Sequence, residues 1–361
     1  MKQRDLSKDT EDWPLQVGSP DDGRRLDALL AERLPYHSRT RHRDSIREGR
    51  VRIHTDWTAA DRGETVRRPA RRVRAGELVV LNIDSPSAQG RRGPQADGTV
   101  ELPEAPHIVY EDEHLLIVDK PSGIAVHPTR RHLAGSLLER IHRLQGERGD
   151  NDRATPCHRL DRETSGLVLC ARTSEARRKL GDLFERKGKT GELRKLYLAV
   201  VATPAGTPAA RFDIHFPIGA DSSSTVPIKR AVVPQSKLEC DSGNAQTAHT
   251  KWRTLECSGT RALVELEPVT GRQHQLRVHA AHLGTPILGD PLYGLLDPAQ
   301  QDALFLRSRD GLLTATDHEV LGSPRLALHA ARLCFPHPAT GALVEAEVPA
   351  PALFGELLRE P

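Results

Sequence analysis

Residues 157–169 read Cys-His-Arg-Leu-Asp-Arg-Glu-Thr-Ser-Gly-Leu-Val-Leu, and the fold turns on how this stretch continues. Asp161 stands between Arg159 and Arg162, just ahead of a Thr-Ser-Gly turn. The two arginines are expected to keep its carboxyl ionised, and a charged carboxylate at a strand edge can serve as nucleophile or base. Residues 166–171 are a short apolar run, which predicts a strand. Ser174 predicts the cap of a helix reaching Arg186. Leu196–Val201 and Leu263–Glu267 predict further strands, the second followed by a turn at Thr270-Gly271 and a helix to about Leu283. Upstream, Ile108–Tyr110 and Leu115–Val118 flank a Glu-Asp-Glu-His turn and predict a hairpin. Leu133, Leu137, Leu138, Ile141 and Leu144 share one helix face. Leu333–Phe335 and Ala342–Val348 predict a second hairpin across residues 338–341. Strands and helices mix without strict βαβ alternation, so the expected fold is α+β with a largely antiparallel sheet rather than a doubly wound one.

The chain has 361 residues, room for two domains or one large and one small. No stretch approaches the roughly 20 apolar residues that a bilayer requires, and the N-terminus lacks the apolar core of a signal peptide. A cytoplasmic protein is expected. Five cysteines (Cys157, Cys170, Cys240, Cys257 and Cys334) form no Cys-x-x-Cys pair, which argues against a disulfide framework and a common zinc module.

The net charge of +3 conceals an uneven distribution. Residues 24–83 carry 15 arginines and no lysine against eight acidic residues, so a basic module is attached to a slightly acidic body. Such a module suits a polyanionic partner. It predicts two helices, one over Arg25–Leu34 stopped by Pro35 and one over Arg39–Glu48 capped by Ser38 and ended by Gly49, then short strands at Arg50–His54 and Leu78–Ile83. The expected organisation is a flexible lead over residues 1–23, the basic module over 24–83, a Pro/Gly/Ser-rich linker over 84–105 and the main body over 106–361.

Two other segments concentrate polar groups beside breakers. Lys120-Pro121-Ser122-Gly123-Ile124-Ala125-Val126-His127-Pro128 reads as a rigid turn, without the spacing of a phosphate loop. Residues 271–284, Gly-Arg-Gln-His-Gln-Leu-Arg-Val-His-Ala-Ala-His-Leu-Gly, hold three histidines but lack the zincin pattern, so a helix presenting Arg277 to a carboxylate is the better reading. Cys157-His158 adjacency is a poor nucleophile–base pair, because neighbouring residues seldom orient toward each other. No metal site is expected.

Taken in order, His158–Leu167, Gly271–His279 and Lys120–Pro128 resemble the RluA-type family of RNA pseudouridine synthases, and the similarity continues through Leu288–Gly294 and Leu328–Leu333. It covers about residues 106–350. Residues 24–83 resemble the alpha-L RNA-binding motif, first named for a small-subunit ribosomal protein. They depart from it at Val51–Thr55, where the usual short hairpin runs longer. The main body departs from the synthase family at Lys187–Glu192, a Gly-rich stretch longer than the usual helix-to-strand connection before Lys195-Leu196-Tyr197, which suggests an RNA-contacting loop. The resemblance implies that Asp161 is the catalytic aspartate and that Arg277 pairs with it. It implies that Arg159 enters the RNA stack as a uridine flips out, and that Tyr197 stacks on the freed base. Base extraction costs a few kcal/mol and stacking returns about 1–3 kcal/mol. The rearrangement needs no redox step or external nucleophile, so no cofactor is expected. The implied partner is RNA, most simply large-subunit ribosomal RNA, acted on by a monomer. Transfer RNA as substrate, a catalytically silent RNA-binding assembly factor and an unrelated hydrolase are the alternatives.

Overall fold

The computed structural model describes residues 10–33, 39–55, 63–84, 106–127, 135–150, 153–186, 191–206, 208–234 and 245–359. The chain divides into two compact units, residues 1–95 with 127–134, and residues 96–126 with 135–361.

The first unit is built on a four-stranded antiparallel sheet of order β1–β4–β2–β3, formed by β1 (Thr10–Gln16), β2 (Val51–His54), β3 (Glu64–Val66) and β4 (Leu78–Asp84). Helices α1 (Leu26–Arg33) and α2 (Arg39–Arg47) accompany it. Leu26, Leu29 and Leu30 of α1 and Ile46 of α2 are fully buried with Val51, Val79 and Leu81. The α1 leucines recur at the helical spacing that places them on one face, the face that enters the core. Gly49, at φ +77°, follows α2 as the expected left-handed terminator. The reading of residues 1–23 as a flexible lead needs correction, because residues 10–16 form an edge strand antiparallel to β4. An edge position tolerates Pro14. Only one face of such a strand meets the core, through residues such as Leu15 and Val17, so its composition stays polar. The predicted Ser38 cap, residues 34 and 35, almost all of the 84–105 linker and residues 187–190 lie outside the described residues.

The second unit carries a ten-stranded sheet, with the path β10–β13–β14–β9–β15–β8–β6–β5 and with β16 on β15 and β7 on β8. Its strands are β5 (His107–Glu111), β6 (Leu115–Lys120), β7 (Thr155–Pro156), β8 (Ser165–Ala171), β9 (Arg194–Ala202), β10 (Arg211–Ile214), β13 (Thr250–Ser258), β14 (Arg261–Pro268), β15 (Leu328–Pro336) and β16 (Leu343–Glu347). A separate pair, β11 (Ile218–Ala220) and β12 (Arg230–Val232), is antiparallel. Every described pairing is antiparallel except β8 with β15. This is the α+β, largely antiparallel architecture expected from the sequence.

Strand β8 is buried along its whole length, which is why its sequence is a continuous apolar run. On one face of the sheet lie Leu137 and Ile141 of α3 (Leu137–Glu147) and Phe354, Leu357 and Leu358 of α8 (Ala352–Arg359). The other face receives Ala176, Leu180 and Leu183 of α4 (Ser174–Arg186). Truncating a core leucine such as Leu180 to alanine costs about 2–5 kcal/mol. The cap of α4 is Thr173 rather than Ser174, since Thr173 Oγ1 accepts from Ala176 N at 3.1 Å. The remaining helices are α5 (Gln275–His282), α6 (Pro298–Arg309) and α7 (Ala315–Leu321).

The parallel junction depends on one residue. Gly166 pairs with Ala330, has φ +109°, and a Cβ there would stand 2.3 Å from the Ala330 carbonyl oxygen. Only glycine satisfies both the backbone angle and the close approach. The loop bearing Asp161 enters β8 through this residue.

Candidate active site

Asp161 lies in the loop between β7 and β8, and its carbonyl accepts from Thr164 N at 3.2 Å to close a tight turn. The Lys120–Val126 turn clamps that loop from the side. Gly123 N donates to Arg162 O at 2.8 Å, and the Ser122 hydroxyl donates to Glu163 O. Lys120 is fully buried, with its Nζ donating to the carbonyls of Pro121, Ile124 and Arg162 at 2.9, 3.0 and 3.0 Å. The segment read from sequence as a rigid turn is therefore also the brace of the loop that carries the aspartate.

Arg277, on the first turns of α5, reaches Asp161 from the opposite side. Its Nη1 donates to Asp161 Oδ2 at 2.9 Å, while Nε and Nη2 donate to Asp290 at 2.7 and 2.8 Å. Asp290 is fixed in turn, because its Oδ1 also accepts from the backbone of Leu292 and Tyr293 at 2.9 and 3.1 Å. The planar guanidinium thus spends its fork on one buried carboxylate and aims its remaining donor at the other, an arrangement a lysine cannot reproduce. Burial works to raise the Asp161 pKa, but the Arg277 guanidinium overrides it and the carboxyl is held below its ordinary value. Asp161 is accordingly an anion at neutral pH.

His274 adds a second constraint. It is the one described non-glycine residue with a positive φ, 57°, an uncommon conformation for such a residue. The ring is anchored through Nδ1 to the Tyr293 hydroxyl at 2.8 Å, and that hydroxyl accepts from Arg230 N at 2.9 Å. The other ring nitrogen, Nε2, lies 3.9 Å from Asp161 Oδ2. Burial, reinforced by Arg277, pushes the His274 pKa down to about 4, so the ring is neutral at pH 7.

Asp161, His274 and Arg277 line one open cavity of about 630 Å³, together with Arg159, Lys195, Tyr197 and Arg272, a size typical of small-molecule sites. Tyr197, on β9, is buried, and burial next to Asp161 raises its phenol above the ordinary value. Arg159 is exposed and lines the same cavity. The four residues singled out in the sequence, Asp161, Arg277, Arg159 and Tyr197, therefore converge on one site. Asp290, Tyr293 and His274 were not assigned parts in it. The signal for the first two was Leu288–Gly294, a stretch whose similarity was noted without a role for any residue in it.

Other sequence candidates fall away from the cavity chemistry. Burial drives the Cys157 thiol up to about 11, and His158 Nε2 is occupied by Leu169 N at 3.1 Å, so the two do not form a nucleophile–base pair. His279 is buried and bonded through both ring nitrogens, to Thr250 Oγ1 and Phe216 O at 2.9 Å each, which makes it a core histidine. No described helix is long and apolar enough to cross a membrane.

A family model described as RNA pseudouridylate synthase matches residues 114–282, a span that includes Asp161, Tyr197 and Arg277. The chain is 33% identical over 359 residues to the ribosomal large subunit pseudouridine synthase D of Pseudomonas aeruginosa, covering 98% of this chain and 96% of that protein. It is 32% identical over 339 residues to the protein of the same name from Escherichia coli, covering 93% and 90%. Among solved structures it resembles human RNA Pseudouridylate Synthase Domain Containing 4, with a TM-score of 0.51 and 27% identity over 70% of this chain and 91% of that one. A sheet of matching type, a cavity built around a paired aspartate, and one-third identity along nearly the full length of a relative place the chain in the RNA pseudouridylate synthase family, as an isomerase that converts uridine to pseudouridine in RNA.

Proposed function

We propose that the enzyme modifies uridines of large-subunit ribosomal RNA, with Asp161 as its catalytic residue and Arg277 as the partner that keeps it charged and aimed. One observation carries the reading: a carboxylate held ionised at a cavity wall by an arginine whose other donors are locked onto a buried aspartate. Pseudouridine formation breaks N1–C1′, turns the uracil and joins C5 to C1′; C5 releases its proton to solvent and the freed N1 takes one up, so the product is an isomer of the substrate. An anionic Asp161 can attack C1′ or remove the 2′ proton, and both routes require the ionised form. Arg277 supplies that form in a pocket where desolvation favours the acid. Tyr197 offers the detached uracil a flat surface, and Arg159 fills the gap that the flipped nucleotide leaves in the stack.

The choice of ribosomal RNA rests on the relatives matched over nearly their whole length, which are named for the ribosomal large subunit. The basic segment 24–83 supports it as an RNA-binding module that adds phosphate contacts and salt-dependent affinity, joined by the 84–105 linker to a catalytic domain over 106–361. The enzyme works as a monomer in the cytoplasm, where its substrate is made. Mapping pseudouridines in total RNA from cells with and without the gene tests the reading. Loss of one or a few sites in large-subunit RNA supports it. Loss confined to transfer RNA overturns the substrate, and an unchanged map overturns both.

A further inference from the structure

The ladder between β10 and β13 pairs Asp213 with Lys251 and Ile214 with Thr250. One step further along the same antiparallel register, His215 stands opposite His249. Directly opposed residues place their side chains on the same face, about 5 Å apart at Cβ, and Asp213, two residues before His215, projects to that face as well. The result is a compact Asp-His-His cluster. The two imidazoles stack with centroids 4.1 Å apart. His249 Nε2 lies 2.9 Å and His215 Nε2 3.9 Å from the same carboxylate oxygen, Asp213 Oδ2. One donor atom from each residue falls within 4.8 Å of the others.

We propose that Asp213, His215 and His249 form a surface binding site for a divalent transition-metal ion of the zinc class, outside the catalytic cavity. Around a tetrahedral ion with ligand bonds near 2.0–2.2 Å, neighbouring ligand atoms are about 3.3 Å apart. The two nitrogen–oxygen separations, 2.9 and 3.9 Å, bracket that value, and all three ligand atoms lie within 4.8 Å of one another. Imidazole nitrogen with one carboxylate selects zinc, copper or nickel over magnesium and calcium, which prefer all-oxygen shells. Metal entry replaces the His249–Asp213 hydrogen bond; Nε2 coordinates through its lone pair and the imidazole, neutral as a ligand, carries its proton on Nδ1. The backbone around the cluster is held in place: His249 N donates to Thr270 Oγ1 and its carbonyl accepts from Gln275 Nε2, both at 2.9 Å, and His279 bridges Thr250 Oγ1 and Phe216 O just behind. The His215 side chain is 66% exposed, which leaves the remaining coordination positions to water. The cluster involves none of His274, His279 and His282, the histidines that lack a metal-binding pattern in the sequence.

The test is calorimetric titration of the chelator-stripped full-length protein with ZnCl2, and with MgCl2 for comparison. One saturable zinc site and no magnesium site are expected. His215→Ala and His249→Ala should each raise the zinc Kd roughly tenfold or more, while Cys257→Ser, at an exposed thiol, should leave it unchanged. Far-UV circular dichroism confirms folding, and the exposed His215 variant decides the matter should the His249 variant misfold. Absence of saturable zinc uptake, or an unchanged Kd in the doubly substituted His215→Ala/His249→Ala protein, overturns the proposal.

Discussion

Replacing Arg277 by lysine keeps the charge and removes the geometry. The guanidinium makes three charge-assisted bonds at once, two to Asp290 and one to Asp161, between 2.7 and 2.9 Å. A lysine ammonium is a compact point charge with a shorter overall reach and no planar fork, so it cannot hold both carboxylates in the native geometry. Asp290 is the more deeply buried, so it retains the cation and Asp161 loses its partner. Disrupting a buried pair of this kind costs about 3–5 kcal/mol of stability. The catalytic effect is separate: burial acts on Asp161 without the offset from Arg277, so its pKa rises. A loss of about 3 kcal/mol of transition-state stabilisation corresponds to a fall in kcat of roughly 100-fold. The assay is single-turnover release of tritium from C5 of labelled uridine in an RNA transcript, measured from pH 5 to 8. The native enzyme, with its aspartate titrating below the ordinary carboxylate range, should show no acid limb from Asp161 over that interval. The lysine variant should acquire one, with activity falling as pH drops through the raised pKa. A variant within threefold of the native kcat and with an unchanged pH profile refutes the reasoning.

Further expectations follow from burial and backbone geometry. Gly166→Ala places a methyl group 2.3 Å from the Ala330 carbonyl oxygen at φ +109°, and should destabilise the protein by about 4 kcal/mol or more; a urea midpoint close to the native value contradicts this. His274, His279 and His329 are buried and pushed from 6.5 down to about 4. The unfolded chain therefore takes up protons before the native state does, and the stability present above about pH 6.5 is lost as pH falls toward 4. At about 1.36 kcal/mol per pKa unit, each histidine contributes up to roughly 3 kcal/mol of that loss, and a melting temperature unchanged between pH 7 and 4.5 contradicts the assignment.

Much of this arrangement was legible in the sequence because its signals are local. The apolar run of β8, the leucines of α1 and the hairpin of β5 with β6 each announce themselves by periodicity or turn chemistry. Asp161 is conspicuous between two arginines. What escaped depends on tertiary placement. Strand β1 is polar because it lies at a sheet edge, and it exists only by pairing with β4, more than 60 residues away. Strands β10 and β13 pair across an intervening segment and have no adjacent turn to mark them. Asp290 and Tyr293 look like ordinary loop residues until α5 brings Arg277 and His274 against them. Thr173 rather than Ser174 caps α4, since two adjacent hydroxyl residues offer equivalent caps until the first turn is placed. The histidines of residues 274–282 are close in sequence but lack a metal-binding spacing, whereas the cluster that geometry gathers comes from the ends of two facing strands.

The central claim is that an ionised Asp161 performs the chemistry. Its most direct test is Asp161→Asn, a near-isosteric change that removes the charge, assayed for tritium release and for binding to large-subunit ribosomal RNA fragments. The account predicts product formation reduced to background with RNA affinity within a few-fold of native. Turnover that survives in the asparagine variant contradicts it.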